Sequence, residues 1–394
     1  MGIHLPSLLP QMQELGQTLY ERSLQMSEMI PKAINALHFT AGLDHTDLLS
    51  LINEAGDRWR GAIPTDEALD QTFSPPKAPL SLRVIGADGS QIYPDRHASA
   101  FYYLINIGSI VVSHGSGETP TVQQESRLFF ELEDLYDEAD HPVQNAYVNL
   151  RRDVAEMKAL AERVESLAGE PTLAILDNSL LLWLALQTGG PTSRETDRYL
   201  EQYLKQLDRL RTSETGLAGF IDRPRSVSVL ALIHLAGLPD DQITQETVVQ
   251  TPFRGLTDRA IFTKLLPPGH RSARFIPASP LNRDFRTAGQ QIHFFYLKTD
   301  PDDTVVRVEI PIWVAQDPKL LDRVHAGILQ DCRTTGGFPY TLVRAHELAV
   351  IHPQERIAFE EMLQRILLGH GLRPKQSQKA LTKQLTGQRK HHRL

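Results

Sequence analysis

The chain has 394 residues, which at ~150 residues per domain predicts two or three folded units. Its 48 acidic and 41 basic residues leave a formal charge of −7, excluding a global basic signature for nucleic acid and confining any such contact to a local patch. Cys332 is the single cysteine, which excludes an internal disulfide and a cysteine zinc cluster.

The start, MGIHLPSLLPQ, lacks the basic region and apolar run of a signal peptide. No apolar stretch reaches the ~18 residues that suggest a membrane span, so the expected location is the cytoplasm, with no membrane partner. Residues 1–75 read as an N-terminal helical region. Leu8, Met12, Leu15 and Leu19, and then Leu48, Leu49, Leu51 and Ile52, recur at helical spacing. The run Ser74-Pro75-Pro76-Lys77-Ala78-Pro79 is a stiff connector.

Residues 82–93, LRVIGADGSQIY, run apolar into Asp88-Gly89-Ser90, which predicts a buried strand whose end carries Asp88. Residues 98–113 are strand-like, and 124–168 turn helical and acidic. The stretch 172–182, TLAILDNSLLL, repeats the first pattern and ends its apolar run on Asp177. A charged helix (193–213), a strand (216–221), a buried helix (227–238) and strands at 274–276, 292–297 and 305–314 follow. The last third predicts helices at 318–330, 340–351 and 353–368, then a basic, polar tail (371–394) that includes Arg373 and Lys375. This mixed order predicts an α/β core with appended helices rather than a sandwich or a bundle.

Two buried strands that each end in an aspartate can hold two carboxylates on one divalent metal. Each aspartate also has a plainer reading: Asp-Gly is a hairpin signal, and Asp177 can be a turn residue or a helix cap. Glu156, between Ala155 and Met157 in a periodic helix, lies nearest the buried side, while the other acidic residues around it read as solvated. In GGFPYTLVRAHELAVIHP, Gly336, Gly337 and Pro339 set a turn, and an amphipathic helix carries His346. That histidine is either a satisfied core residue or, beside two carboxylates, a metal ligand or proton donor.

The order ADGS, helical glutamate, ILDNSL, RVEIP, GFPYTLVRAHELA resembles the NurA nucleases, the prokaryotic partners of the hexameric HerA DNA translocase in DNA end processing. The resemblance runs from about residue 80 to 365 and includes TDRAIFTKLL with Asp258. It implies an RNase H-like mixed sheet core with flanking helices over 80–368. It also implies a manganese- or magnesium-dependent deoxyribonuclease, of 5′–3′ exonuclease and single-strand endonuclease type, and a homodimer that docks on a HerA-like translocase. Asp88 and Asp177 match the family's strand-end aspartates, Glu156 its helical glutamate, and His346 its alanine-histidine helix. Oxygen donors suit either ion, and the imidazole tilts the choice to manganese.

Two departures stand out. Asn178 follows Asp177 where the family commonly has glycine, and Phe338 stands where the family has a tyrosine eight residues before the histidine. Phe338 motivates an alternative: a non-catalytic NurA-like adaptor that binds the translocase and DNA. The ring of Phe338 can still stack on a base, Tyr340 offers a hydroxyl two residues on, and Arg373 and Lys375 open a tail suited to phosphate contacts. A sugar or acetate kinase reading of Asp-Gly-Ser is weaker, because no second glycine-rich phosphate loop follows.

Overall fold

The computed structural model describes residues 4–372, apart from 57–58, 97, 99, 138–139, 168–169, 184, 186–193, 245, 249 and 301–303. Arg373, Lys375 and the rest of the basic tail lie outside the described residues. In chain order the elements are α1 (Leu5–Ala41), α2 (His45–Glu54), β1 (Ala62–Pro64), β2 (Thr72–Phe73), β3 (Leu82–Ile92), β4 (Tyr103–His114) and β5 (Thr121–Phe129). Then come α3 (Leu132–Leu135), α4 (Asn145–Glu165), β6 (Thr172–Leu176), α5 (Arg194–Thr212), β7 (Gly216–Ile221), α6 (Ser228–Ala236), α7 (Asp258–Leu265), β8 (Arg271–Ser272) and β9 (Phe275–Pro277). The remainder is α8 (Pro280–Thr287), β10 (Ile292–Lys298), β11 (Val305–Pro311), α9 (Ile312–Ala315), α10 (Pro318–Cys332), α11 (Tyr340–Ala349) and α12 (Pro353–Gly369).

Two compact units form from these elements. One comprises Met1–Pro79, Asn178–Leu181 and Leu217–Phe338, and the other Leu80–Asp177, Leu182–Gly216 and Pro339–Leu394. In the first, an antiparallel sheet is built around β10 and β11, whose residues are all buried, including His293, Lys298, Arg307 and Glu309, which interrupt their apolar runs. Leu37, Leu48, Ile52, Leu230 and Phe262 bring α1, α2, α6 and α7 onto a core that includes Phe275, Phe294 and Tyr296. Val227 gives α6 no side-chain cap. Asp258 serves instead, its carboxylate accepting from Val229 N (3.1 Å), Leu230 N (2.9 Å) and Tyr296 Oη (2.8 Å).

The second unit holds a mixed four-stranded sheet in the order β6-β3-β4-β5. Strands β3, β4 and β5 form an antiparallel meander, and β6 runs parallel to β3. Here the mixed α/β core with flanking helices appears as expected. Helix α4 packs on β3, β4 and α5, while α11 packs on β3 and β4. Gly86 faces Thr341 of α11 and Gly89 faces Arg152 and Glu156 of α4. Residues an odd number of positions apart in a strand point to opposite faces, so the two helices cover opposite sides of β3.

Three local expectations are corrected. Asp88-Gly89 is not a turn: β3 runs through both to Ile92, with Asp88 paired to Gly108. Residues 124–129, read as the start of a helical stretch, belong to the strand β5, whose side chains are exposed on both faces up to Arg127 and so lack a period-2 signal. The strand expected over 305–314 stops at Pro311, which cannot extend the ladder and caps α9 instead.

Candidate active site

The parallel register of β3 and β6 pairs Ala87 with Leu176. The next residue on each strand is an aspartate, so Asp88 and Asp177 stand side by side, one inside β3 and one just past the end of β6. Apolar runs bury both strands, and the pairing register converts two separate sequence positions into neighbours. Gly89 N donates to Asp88 Oδ1 at 2.8 Å, which holds that carboxylate against its own strand.

Glu156 approaches from the α4 side. It is buried on the helix face that also carries Asp153, Met157 and Leu160, as its periodic surroundings predict. A Cβ at position 89 would lie 2.7 Å from Glu156 Oε1, 2.7 Å from Arg152 Cγ and 2.8 Å from Ile107 Cδ1. The missing side chain of Gly89 is therefore what lets the glutamate reach the strand. Here the Asp-Gly pair supplies clearance rather than a turn.

His346 comes from the other face. Gly108 opens room for α11, since a Cβ there would lie 2.6 Å from Leu348 Cβ and 2.8 Å from Ala345 O. The far end of α11 is tied down at the Ala349 carbonyl, which accepts from Ser90 Oγ and from Asn106 Nδ2 at 2.7 Å. Ser126 Oγ in turn donates to Asn106 Oδ1 at 2.7 Å. Held this way, His346 Nδ1 lies 2.7 Å from Asp88 Oδ2. The imidazole is 65% exposed and belongs to no core, which decides against the core-residue reading.

Arg152 and Asp153 are site residues that the sequence did not single out. Arg152 Nε lies 3.1 Å from Glu156 Oε1, its Nη2 2.9 Å from Asp153 Oδ1, and its Nη1 donates to Gln91 Oε1 at 3.1 Å. The i,i+4 spacing of Arg152 and Glu156 was a readable signal, although such pairs usually face water. Burial pushes the Glu156 carboxyl well above its ordinary value; Asp153, Asp88 and Asp177 push the same way, and Arg152 opposes them. Burial likewise raises Asp153, against Arg152.

Among the described residues no three His, Cys, Asp or Glu side chains are gathered closely enough to enclose a metal ion. The donor chemistry nonetheless fits a hard divalent cation. Asp88 and Asp177 stand side by side with the buried Glu156 under Gly89, a set of carboxylates whose mutual repulsion a cation would relieve. Carboxylate oxygens with one imidazole suit magnesium or manganese.

Phe338, in the first unit, packs edge-on against Phe220 with ring centroids 5.2 Å apart. Tyr340 opens α11 in the second unit and is half-buried.

The second unit thus carries the neighbouring aspartates, the buried Glu156 and His346 in one mixed α/β domain. The family follows from comparison: the NurA domain matches residues 82–351, and the chain belongs to that family. No curated protein matches the chain. Among solved structures it is similar to the NurA nuclease from Sulfolobus solfataricus, at 13% identity and a TM-score of 0.47, over 90% of this chain and 98% of that one. A NurA crystallised with manganese is 12% identical with a TM-score of 0.42, over 87% of this chain and 98% of that one. Human ENDOV is 15% identical with a TM-score of 0.31, over 80% of this chain and 97% of that one. Among the described residues no helix is long and apolar enough to cross a membrane.

Proposed function

We propose that the protein is a divalent-metal-dependent deoxyribonuclease that hydrolyses phosphodiester bonds. The observation that carries this reading is the β3–β6 register, which sets Asp88 beside Asp177, with Glu156 under Gly89 and His346 bonded to Asp88. Asp88, Asp177, Glu156 and His346 would hold manganese or magnesium. A bound ion of this kind supplies a water of lowered pKa and neutralises charge on the phosphate. Asp88 orients the imidazole through Nδ1, which leaves Nε2 to bind or to pass a proton at the departing oxygen. Arg152, whose Nε lies 3.1 Å from Glu156 Oε1, supplies positive charge beside these carboxylates. Ser90 is engaged with the Ala349 carbonyl, which favours direct attack by water over a covalent intermediate.

The motif order supports placing the enzyme in DNA end processing beside a HerA-like hexameric translocase. It also supports a homodimer with 5′–3′ exonuclease and single-strand endonuclease activity, in the cytoplasm. The adaptor is the second reading. Phe338, packed on Phe220 where the family carries a tyrosine hydroxyl, is the observation that favours it. The deciding experiment is degradation of linear and single-stranded DNA with manganese present or chelated. Cleavage that chelation abolishes establishes the nuclease. DNA binding without cleavage in any divalent metal establishes the adaptor.

A further inference from the structure

Helix α1 is 37 residues long, and only its second half is packed. Met26, Met29, Ile30, Ala33 and Leu37 sit on the core of the first unit. Ahead of them the helix projects an apolar stripe into solvent: Leu5 is 65% exposed, Met12 59%, Leu15 55% and Leu19 53%. Leu9 widens the stripe and is 57% exposed. A patch of this size on a helix marks an interaction surface rather than scattered surface leucines.

The spacing says what fits it. Leu5, Leu8, Met12, Leu15 and Leu19 alternate steps of three and four, the a/d pattern of a coiled coil, and Met26, Met29 and Ala33 continue the same register into the core. Arg22 takes the next seam position. In a parallel pair two Arg22 guanidiniums would meet in the seam. In an antiparallel pair Leu5 of one copy meets Arg22 of the other at the rim, where the long side chain reaches water. That register sets Leu8 against Leu19 and Met12 against Leu15, an apolar layer at each level. The flanking positions Leu9, Gly16 and Ser23 on one side, and Gln11, Thr18 and Gln25 on the other, carry no charge, so nothing there repels an identical helix. Pro10 falls on the outer side, away from the seam. From Leu5 to Leu24 the helix runs about 30 Å, and pairing two such stripes buries on the order of 1,200–1,500 Å² in total, within the range of specific complexes.

We propose that the N-terminal half of α1 pairs antiparallel with the same helix of a second copy of this chain. This rests on the homodimer reading above and gives it a surface and a register. The test is sedimentation velocity on the full chain and on Met12→Glu/Leu15→Glu, with disulfide mapping of Leu8→Cys/Leu19→Cys beside Leu8→Cys alone. The expected result is a dimeric parent and a charged variant whose dimer dissociation constant rises at least ~100-fold, since four carboxylates then face one another in the seam. Its melting temperature when fully dissociated stays that of the dissociated parent, because both positions are exposed in the single chain. The Leu8→Cys/Leu19→Cys chain forms a covalent dimer on oxidation and the Leu8→Cys chain does not, the native Cys332 being buried in both. A charged variant that remains dimeric overturns the seam and leaves the homodimer standing. Cross-linking of Leu8→Cys alone overturns the antiparallel register. A parent that is monomeric at all concentrations overturns both.

Discussion

His346 Nδ1 and Asp88 Oδ2, 258 positions apart in the chain, lie 2.7 Å from each other. The bond joins the middle of α11 to the middle of β3, and it assigns the imidazole proton to the nitrogen that faces the carboxylate. His346→Gln retains a donor near Asp88 but loses the second ring nitrogen. Cleavage with manganese is expected to fall about 10–100-fold, the usual cost of disturbing a metal's orienting shell. A variant with full activity removes His346 from the site.

Asp88→Asn and Asp177→Asn are each expected to lower cleavage by more than about 100-fold, beyond the cost of losing an orienting partner. Either change also relieves repulsion on Glu156, so the melting temperature in chelator should hold or rise slightly. Wild-type cleavage by either variant rejects the paired-aspartate assignment.

Gly89→Ala tests whether the clearance beneath β3 matters for chemistry. The added methyl must push aside Glu156 Oε1 and the Arg152 stem, both 2.7 Å from it, and Ile107 Cδ1 at 2.8 Å. Overpacking of this kind costs about 1–3 kcal/mol, and cleavage should fall more than the loss of stability explains. Chemical denaturation alongside initial rates separates the two effects.

Asp258 supplies a pH dependence in the first unit. Burial raises its carboxyl to about 6, against the hydrogen bonds from Leu230, Val229 and Tyr296 that favour the anion. A folded value above the unfolded ~3.9 means that its contribution is fully present below that pH and is lost as pH rises through about 6. Between pH 4 and pH 7 the wild type should lose on the order of 2–3 kcal/mol relative to Asp258→Asn. A constant difference in unfolding free energy across that window contradicts the assignment.

Truncation at Gly371 removes Arg373, Lys375 and the basic residues beyond them. If these contact phosphates, binding of single-stranded DNA weakens mainly at low salt and the slope of log K against log salt becomes shallower. Unchanged affinity and slope make the tail a plain terminus.

Much of the site was written locally. The apolar runs ending on Asp88 and Asp177 specify buried strands, the periodicity around Glu156 turns that carboxylate inward, and the motif order identifies the family. Such signals are legible because a helix or strand records in its own sequence which of its faces is buried. What the chain did not disclose depends on partners distant in sequence. Asp88 sits inside β3 because β4 continues to pair beyond it, so Asp88-Gly89 never has to turn. Gly89 is small for the sake of Glu156, 67 positions away, and β5 escapes notice because its solvated faces leave no alternation to read. The side-by-side placement of the aspartates is a matter of register, and His346 reaches Asp88 only because Gly108, Ser90 and Asn106 seat α11 on the sheet. Register and helix placement are set by pairing and packing energies summed over the folded unit, and no local stretch of sequence contains them.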